Sequence, residues 1–91
     1  MEKIKTMKNN EFIIWLQRQS GQYVRQMLND IEAPKEASNI IINRCIKYHT
    51  LEQINQELHI TKAQQNARII IVKQRLISLI DGYFLTRPKQ D

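Results

Sequence analysis

The sequence predicts an all-α fold: a small helical bundle containing a helix-turn-helix and a long C-terminal helix. Three observations carry this. Helix breakers are scarce, with two Gly and two Pro in 91 residues, so long stretches run without interruption. Apolar residues recur three and four positions apart along most of the chain. Thr and Asn stand where such runs begin, as helix N-caps do. The length suits one domain, 1–91, divided into an N-terminal helical segment, 10–32, and a region, 34–84, holding the helix-turn-helix and the C-terminal helix.

The first expected helix opens at Asn9 or Asn10 as cap, with Glu11 well placed in its first turn. Phe12, Leu16, Tyr23 and Met27 form one apolar stripe, and Ile13, Val24, Leu28 and Ile31 a second beside it. Trp15 widens that surface, while Gly21 kinks the helix or splits it in two. Ala33-Pro34 ends the segment, and Pro34 suits the first position of a helix over 34–48. There Ala37, Ile41, Cys45 and Tyr48 share a face that Ile42 and Ile46 flank. Thr50 and Gln53 form a capping-box pattern for a short helix over 51–58, with Leu51, Ile54 and Leu58 inward. After a turn at His59-Ile60, Thr61 and Gln64 repeat the pattern for a last helix reaching about Tyr83. Residues 86–91 read as a polar tail.

The formal net charge is +5, and its distribution is uneven. Residues 1–33 carry five basic and four acidic side chains, 34–60 three of each, and 61–91 six basic and two acidic. No carboxylate lies between Glu57 and Asp81, whereas Lys62, Arg68, Lys73 and Arg75 do. An anionic partner would be drawn to this end, nucleic acid being the commonest; a solvated helix surface is the plainer reading. The single cysteine, Cys45, excludes an internal disulfide, suits a reducing cytoplasm and reads as a small core residue. No signal peptide follows the basic start, and the apolar runs at 12–16 and 69–72 are too short to span a membrane. A cytoplasmic location is therefore expected.

Catalysis and cofactors find no support. The chain lacks a Gly-rich phosphate loop, a nucleophile elbow and a paired-carboxylate signature, so no enzyme is expected. His49 and His59 lie at helix boundaries with one distant cysteine, which makes no metal site. Ser20, Ser38 and Ser78 read as surface or packing residues, and Trp15, Tyr23 and Phe84 as core or interface.

The informative stretch is TLEQINQELHITK, residues 50–62. A capped short helix, a tight turn and a second capped helix make a helix-turn-helix unit. Ile54, Leu58 and Ile60 would pack the two helices together, leaving the second free to enter a major groove. Its N-terminal peptide N–H groups would point at phosphate. Thr61, Lys62, Gln64, Gln65, Asn66 and Arg68 are the expected DNA-facing residues of this helix, with Lys73 and Arg75 on phosphates farther along.

Over 33–76 the chain resembles the promoter-reading C-terminal region of bacterial sigma-70-type factors, region 4, and the related helix-turn-helix of small phage and plasmid transcription regulators. The likeness lies in the Pro34-led helix ending near RCIKY, the TLEQI opening, the ELHIT turn and Ala67-Arg68-Ile69. It implies double-stranded DNA as partner, with RNA polymerase or another regulator protein as a further one. The sequence departs from that pattern at three places. Asn55 stands where a small Ala is usual, His59 where Gly relieves a positive φ, and Gln65 where an aliphatic side chain packs inward. A register that packs Ala63, Ala67 and Ile70 instead would rotate the second helix.

The C-terminal helix carries a second stripe, Ile69, Val72, Leu76, Leu79 or Ile80, and Tyr83, with Ile70 and Ile77 beside it. Steps of three and four make a coiled-coil-like seam, which predicts a homodimer; a closed monomeric bundle is the alternative. Two functional classes follow. One is a DNA-binding transcription regulator acting as a dimer. The other is a sigma-like protein-interaction module that binds a transcription protein or repressor without reading DNA. The carboxylate-free basic run favours the first, and the three departures favour the second.

Overall fold

A computed structural model of the chain describes residues 2–90, with side chains described for 4–80. Among the described residues there are six helices and no strand: α1 (Glu2–Thr6), α2 (Asn9–Gln17), α3 (Gly21–Asp30), α4 (Lys35–Cys45), α5 (Leu51–Leu58) and α6 (Lys62–Gln90). The long helix α6 and the central α4 form the axis of the bundle, with α2, α3 and α5 packed on α4 and α1 on α6.

Each local boundary has a chemical cause. At the start of α2 the Glu11 carboxylate accepts from the backbone N–H of Lys8 at 2.8 Å, so the helix opens after Lys8. Neither Asn9 nor Asn10 is the cap; the Asn9 amide donates instead to the carbonyl of Asn66 on α6, at 3.4 Å. The expected first helix is two helices, and Ser20 divides them. Its hydroxyl accepts from the N–H of Tyr23 at 3.0 Å and starts α3. Gly21 is an ordinary first helical residue there, with Ile46 no closer than 3.8 Å to the place of a Cβ.

Pro34 lies one position outside α4, at φ −55° and ψ 147°, and Lys35 is the first helical residue. The helix stops at Cys45, short of the expected 48. Tyr48 takes φ 60° to bring the chain round to Thr50, which turns its ring out of the core; its hydroxyl donates to the Gln17 carbonyl at 3.3 Å. α5 spans the expected residues. α6 runs on through Gly82 to Gln90, past the expected end near Tyr83 and into the residues expected as a polar tail; one glycine inside a helix costs only about 1 kcal/mol.

The core collects Phe12, Ile13 and Leu16 from α2, Val24, Met27 and Leu28 from α3, and Ala37, Ile40, Ile41 and Cys45 from α4. Ile31, Ile54 and Ile4 join them, the last from a helix the sequence reading left out. Trp15 bridges Phe12 and Tyr23, its ring centroid 6.2 Å from one and 6.3 Å from the other. Cys45 sits among these groups, and desolvation pushes its thiol up to about 12 despite the neighbouring Arg44 cation. It therefore stays a neutral, unreactive thiol.

Half of the expected dimer seam is internal. Ile69, Val72 and Leu76 are buried in the chain's own core, at 1 %, 0 % and 3 % exposure. The reason is that α2 and α4 cover this face of α6, so no second subunit is needed there. Of the remaining seam residues, Leu79 is exposed, Ile80 packs partly on the core, and Tyr83 lies outside the described side chains. Among the described residues no helix is long and apolar enough to cross a membrane.

Candidate nucleic-acid interface

α5 and α6 are joined by three residues, His59-Ile60-Thr61, which gives the helix-turn-helix connection. Both capping boxes form. Thr50 Oγ1 accepts from Gln53 N–H at 3.1 Å while Gln53 Oε1 accepts from Thr50 N–H at 2.8 Å. Thr61 and Gln64 repeat the exchange at 3.1 and 2.9 Å. His59 takes a left-handed conformation, φ 55° and ψ 46°, and Ile60 N–H closes the turn on the Asn55 carbonyl at 3.1 Å. The turn thus keeps the geometry that favours glycine but carries a residue with a Cβ. His59→Gly is expected to raise stability by about 1 kcal/mol, seen as a Tm increase of about 4–8 °C in thermal unfolding. An unchanged or lower Tm would place no strain at His59.

Gln65 is the largest departure from expectation. It is fully buried, facing α4 and α5, and cannot meet a base. Its Oε1 accepts from Arg44 Nη1 at 2.9 Å. Its Nε2 donates to Asn55 Oδ1 at 2.8 Å and to the Leu51 carbonyl at 3.2 Å. Gln17 steadies the same region by donating to the Arg44 carbonyl at 2.9 Å. Asn55 and Gln65, two of the three departures, therefore satisfy each other across the α5–α6 contact. No buried side-chain nitrogen or oxygen among the described residues lacks a partner. Ala63, Ala67 and Ile70 are exposed, so the alternative register that buried them does not form.

Three of the four cations expected here, Arg68, Lys73 and Arg75, have partners within the chain. Arg68 Nη2 lies 2.7 Å from Glu36 Oε2, and the pair lines a cleft together with Ile40, Leu58 and Ile60. Leu58, expected inward, lines the rim of that cleft and is over a third exposed, because α5 ends there. Lys73 Nζ donates to the Met7 carbonyl at 2.7 Å, tying the end of α1 to α6. Arg75 Nη1 donates to the carbonyls of Ile31 at 3.3 Å and Glu32 at 2.6 Å. There the backbone leaves α3 through a left-handed Glu32, φ 51°, and its carbonyls need donors. Lys73 and Arg75 thus tie α6 to the backbone that follows α1 and α3.

What remains of the expected surface is Thr61, Lys62 and Gln64, all exposed, with Asn66 half-buried. The centre of the outward face lies opposite Gln65 and Ile69 and is made of Ala63, Ala67 and Gln74, with Ile70 and Ile71 beside it. Sequence reasoning missed Arg44, Glu36 and the two alanines as parts of this site. The polar types at two inward positions, Asn55 and Gln65, were the available signal for the buried network. His49 Nδ1 lies 3.1 Å from Glu57 Oε1, and no cluster of three metal-ligating side chains occurs among the described residues. Comparison with family models, with curated proteins and with solved structures finds no match for this chain.

Proposed function

We infer that this chain is a sequence-specific DNA-binding transcription regulator, using α5 and α6 as a helix-turn-helix of the sigma-70 region 4 kind. One observation carries the reading. The second helix of a doubly capped helix-turn-helix opens on an exposed first turn, and no carboxylate follows from 58 to 80. In this arrangement the first turns of α6 enter the major groove, with Lys62 and peptide N–H groups on phosphate. Thr61, Gln64 and Asn66 lie toward the bases. The inward position of residue 65 supports the family reading, since it is the register that the resemblance implies. Pairing of two copies belongs to the same reading, through Leu79, Ile80 and Tyr83 rather than the buried part of the stripe; two half-sites would then lie roughly 34 Å apart.

The test is duplex binding at several salt concentrations. Lys62→Ala is expected to weaken all sequences alike and lower the salt slope by about one unit. Lys73→Ala and Arg75→Ala are expected to lower Tm and leave that slope unchanged. Wild-type protein that shows no salt-sensitive binding to any genomic fragment of its host overturns the reading. The second reading, a module that binds RNA polymerase or another regulator protein, is favoured by the exposed Ile70 and Ile71 next to Ala67.

A further inference from the structure

We propose that a backbone phosphate of the bound duplex is held outside the helix-turn-helix unit, in a small pocket where α2 and α4 meet α6, with Arg44 and Asn10 as its donors; this rests on the DNA-binding reading above. The pocket has a volume of about 40 Å³. That is room for a few oxygen-sized atoms and none for a base or a sugar. Its polar lining is Asn9, Asn10, Arg44 and Asn66, and no carboxylate lines it; the buried Ile13 and Ile69 belong to its apolar lining.

The pocket holds more donors than its own chain uses. A guanidinium carries five N–H groups and no acceptor. Gln65 Oε1 takes one of them, from Arg44 Nη1 at 2.9 Å, and no other acceptor among the described residues meets the group. That bond also fixes the guanidinium before a ligand arrives, which lowers the entropy lost on binding. Asn9 braces the walls by donating to the Asn66 carbonyl at 3.4 Å. The Asn10 side chain is exposed and bonds to no other group among the described residues. Lys8, next to Asn9, and Lys62, one turn before Asn66, are exposed as well. A fixed cation, a free amide, little room and no carboxylate suit a small anionic oxygen, and guanidinium to phosphate is among the strong charge-assisted pairs. The place fits a duplex. Lys62 and Asn66 are four residues apart and share one flank of α6, along which the pocket lies. A helix in the major groove has the phosphates of the two strands on its flanks, and contacts to them orient it without reading sequence. α2, which carries Asn10, is thereby part of the DNA-binding surface.

Charge changes at Asn10 test the site in the full chain. Asn10 is the second residue of α2, where an acidic side chain favours the helix, so Asn10→Asp is expected to keep or raise Tm. Phosphate contacts are indifferent to sequence, so the probe is one mixed-sequence duplex titrated at several low salt concentrations. Asn10→Asp is expected to bind about fivefold more weakly, the effect of two like charges about 4 Å apart in water. Asn10→Lys is expected to bind more tightly and steepen the salt slope by about one unit. Gln22→Asp is the control. It makes the same charge change at the second residue of α3, beside a groove lined by α3 alone, and is expected to alter affinity by no more than about twofold. Inorganic phosphate, titrated separately and read on the Asn10 side-chain amide by NMR, covers the other source of the same chemistry. Saturable binding of inorganic phosphate, with duplex affinity unchanged in Asn10→Asp, makes the pocket a free-anion site and overturns the assignment to DNA. Salt-sensitive duplex binding that Asn10→Asp and Gln22→Asp affect alike overturns the pocket and leaves DNA binding standing. No salt-sensitive binding by the wild-type chain overturns both.

Discussion

Replacing Leu76 by Asp is expected to unfold the chain, while the same change at Leu79 is expected to leave the bundle intact. The two residues lie three apart on α6 and look alike in sequence. Leu76 is 3 % exposed and Leu79 is 43 % exposed. Truncating a buried leucine to alanine costs about 2–5 kcal/mol, and a buried unpaired carboxylate costs more. Small domains have stabilities at the low end of about 5–15 kcal/mol, so Leu76→Asp removes most or all of it. An exposed position changes stability by about 0.5 kcal/mol or less. Circular dichroism with urea titration reads the first effect, and sedimentation of Leu79→Asp reads whether that residue pairs two copies. A native, cooperative urea transition in Leu76→Asp would show that this face of α6 is not the core.

The second large effect concerns the buried polar network. Gln65→Leu takes the acceptor from Arg44 and the donor from Asn55 and the Leu51 carbonyl. Leaving buried polar groups unpaired costs about 1–3 kcal/mol each, reduced here because Arg44 and Asn55 are only partly buried. A loss of about 2 kcal/mol is expected, or a Tm lower by roughly 8–16 °C. Adding Asn55→Ala to Gln65→Leu is expected to restore part of that loss, since it removes one of the three groups left without a partner while Arg44 and the Leu51 carbonyl remain. The double-mutant cycle should show a coupling of about 1–2 kcal/mol. Strictly additive single effects would mean that the two amides do not act together. Because this network sets how α6 leaves α5, the same variants should also shift duplex affinity if α6 is the reading helix.

Much of the fold was legible in the sequence because its signals are local. Thr50 with Gln53, and Thr61 with Gln64, satisfy helix-end N–H groups from within four residues, so they set the limits of α5 and the start of α6 wherever those helices pack. The apolar stripes of α2 and α3 likewise follow from helical periodicity. The site was less legible, because a polar side chain on a helix looks the same in sequence whether it meets solvent, DNA or another part of its own chain. Gln65 looked like a base reader until Arg44 was placed beside it, and nothing local showed that Lys73 and Arg75 would also reach the carbonyls of Met7 and Ile31.

The sequence by itself determined that this chain is helical, where most of its helices begin, and that a short turn joins two capped helices under a carboxylate-free surface. These follow from backbone propensity, capping and charge, which act over a few residues. Only the tertiary structure decided which face of α6 is inward, that its aliphatic stripe closes the chain's own core, and which cations are spent on carbonyls and on Glu36. Those outcomes depend on partners 21 to 66 residues away in the chain, as with Arg44 and Gln65 at one extreme and Met7 and Lys73 at the other. Burial decides them, because a polar group removed from water must take whichever partner the packing brings within reach.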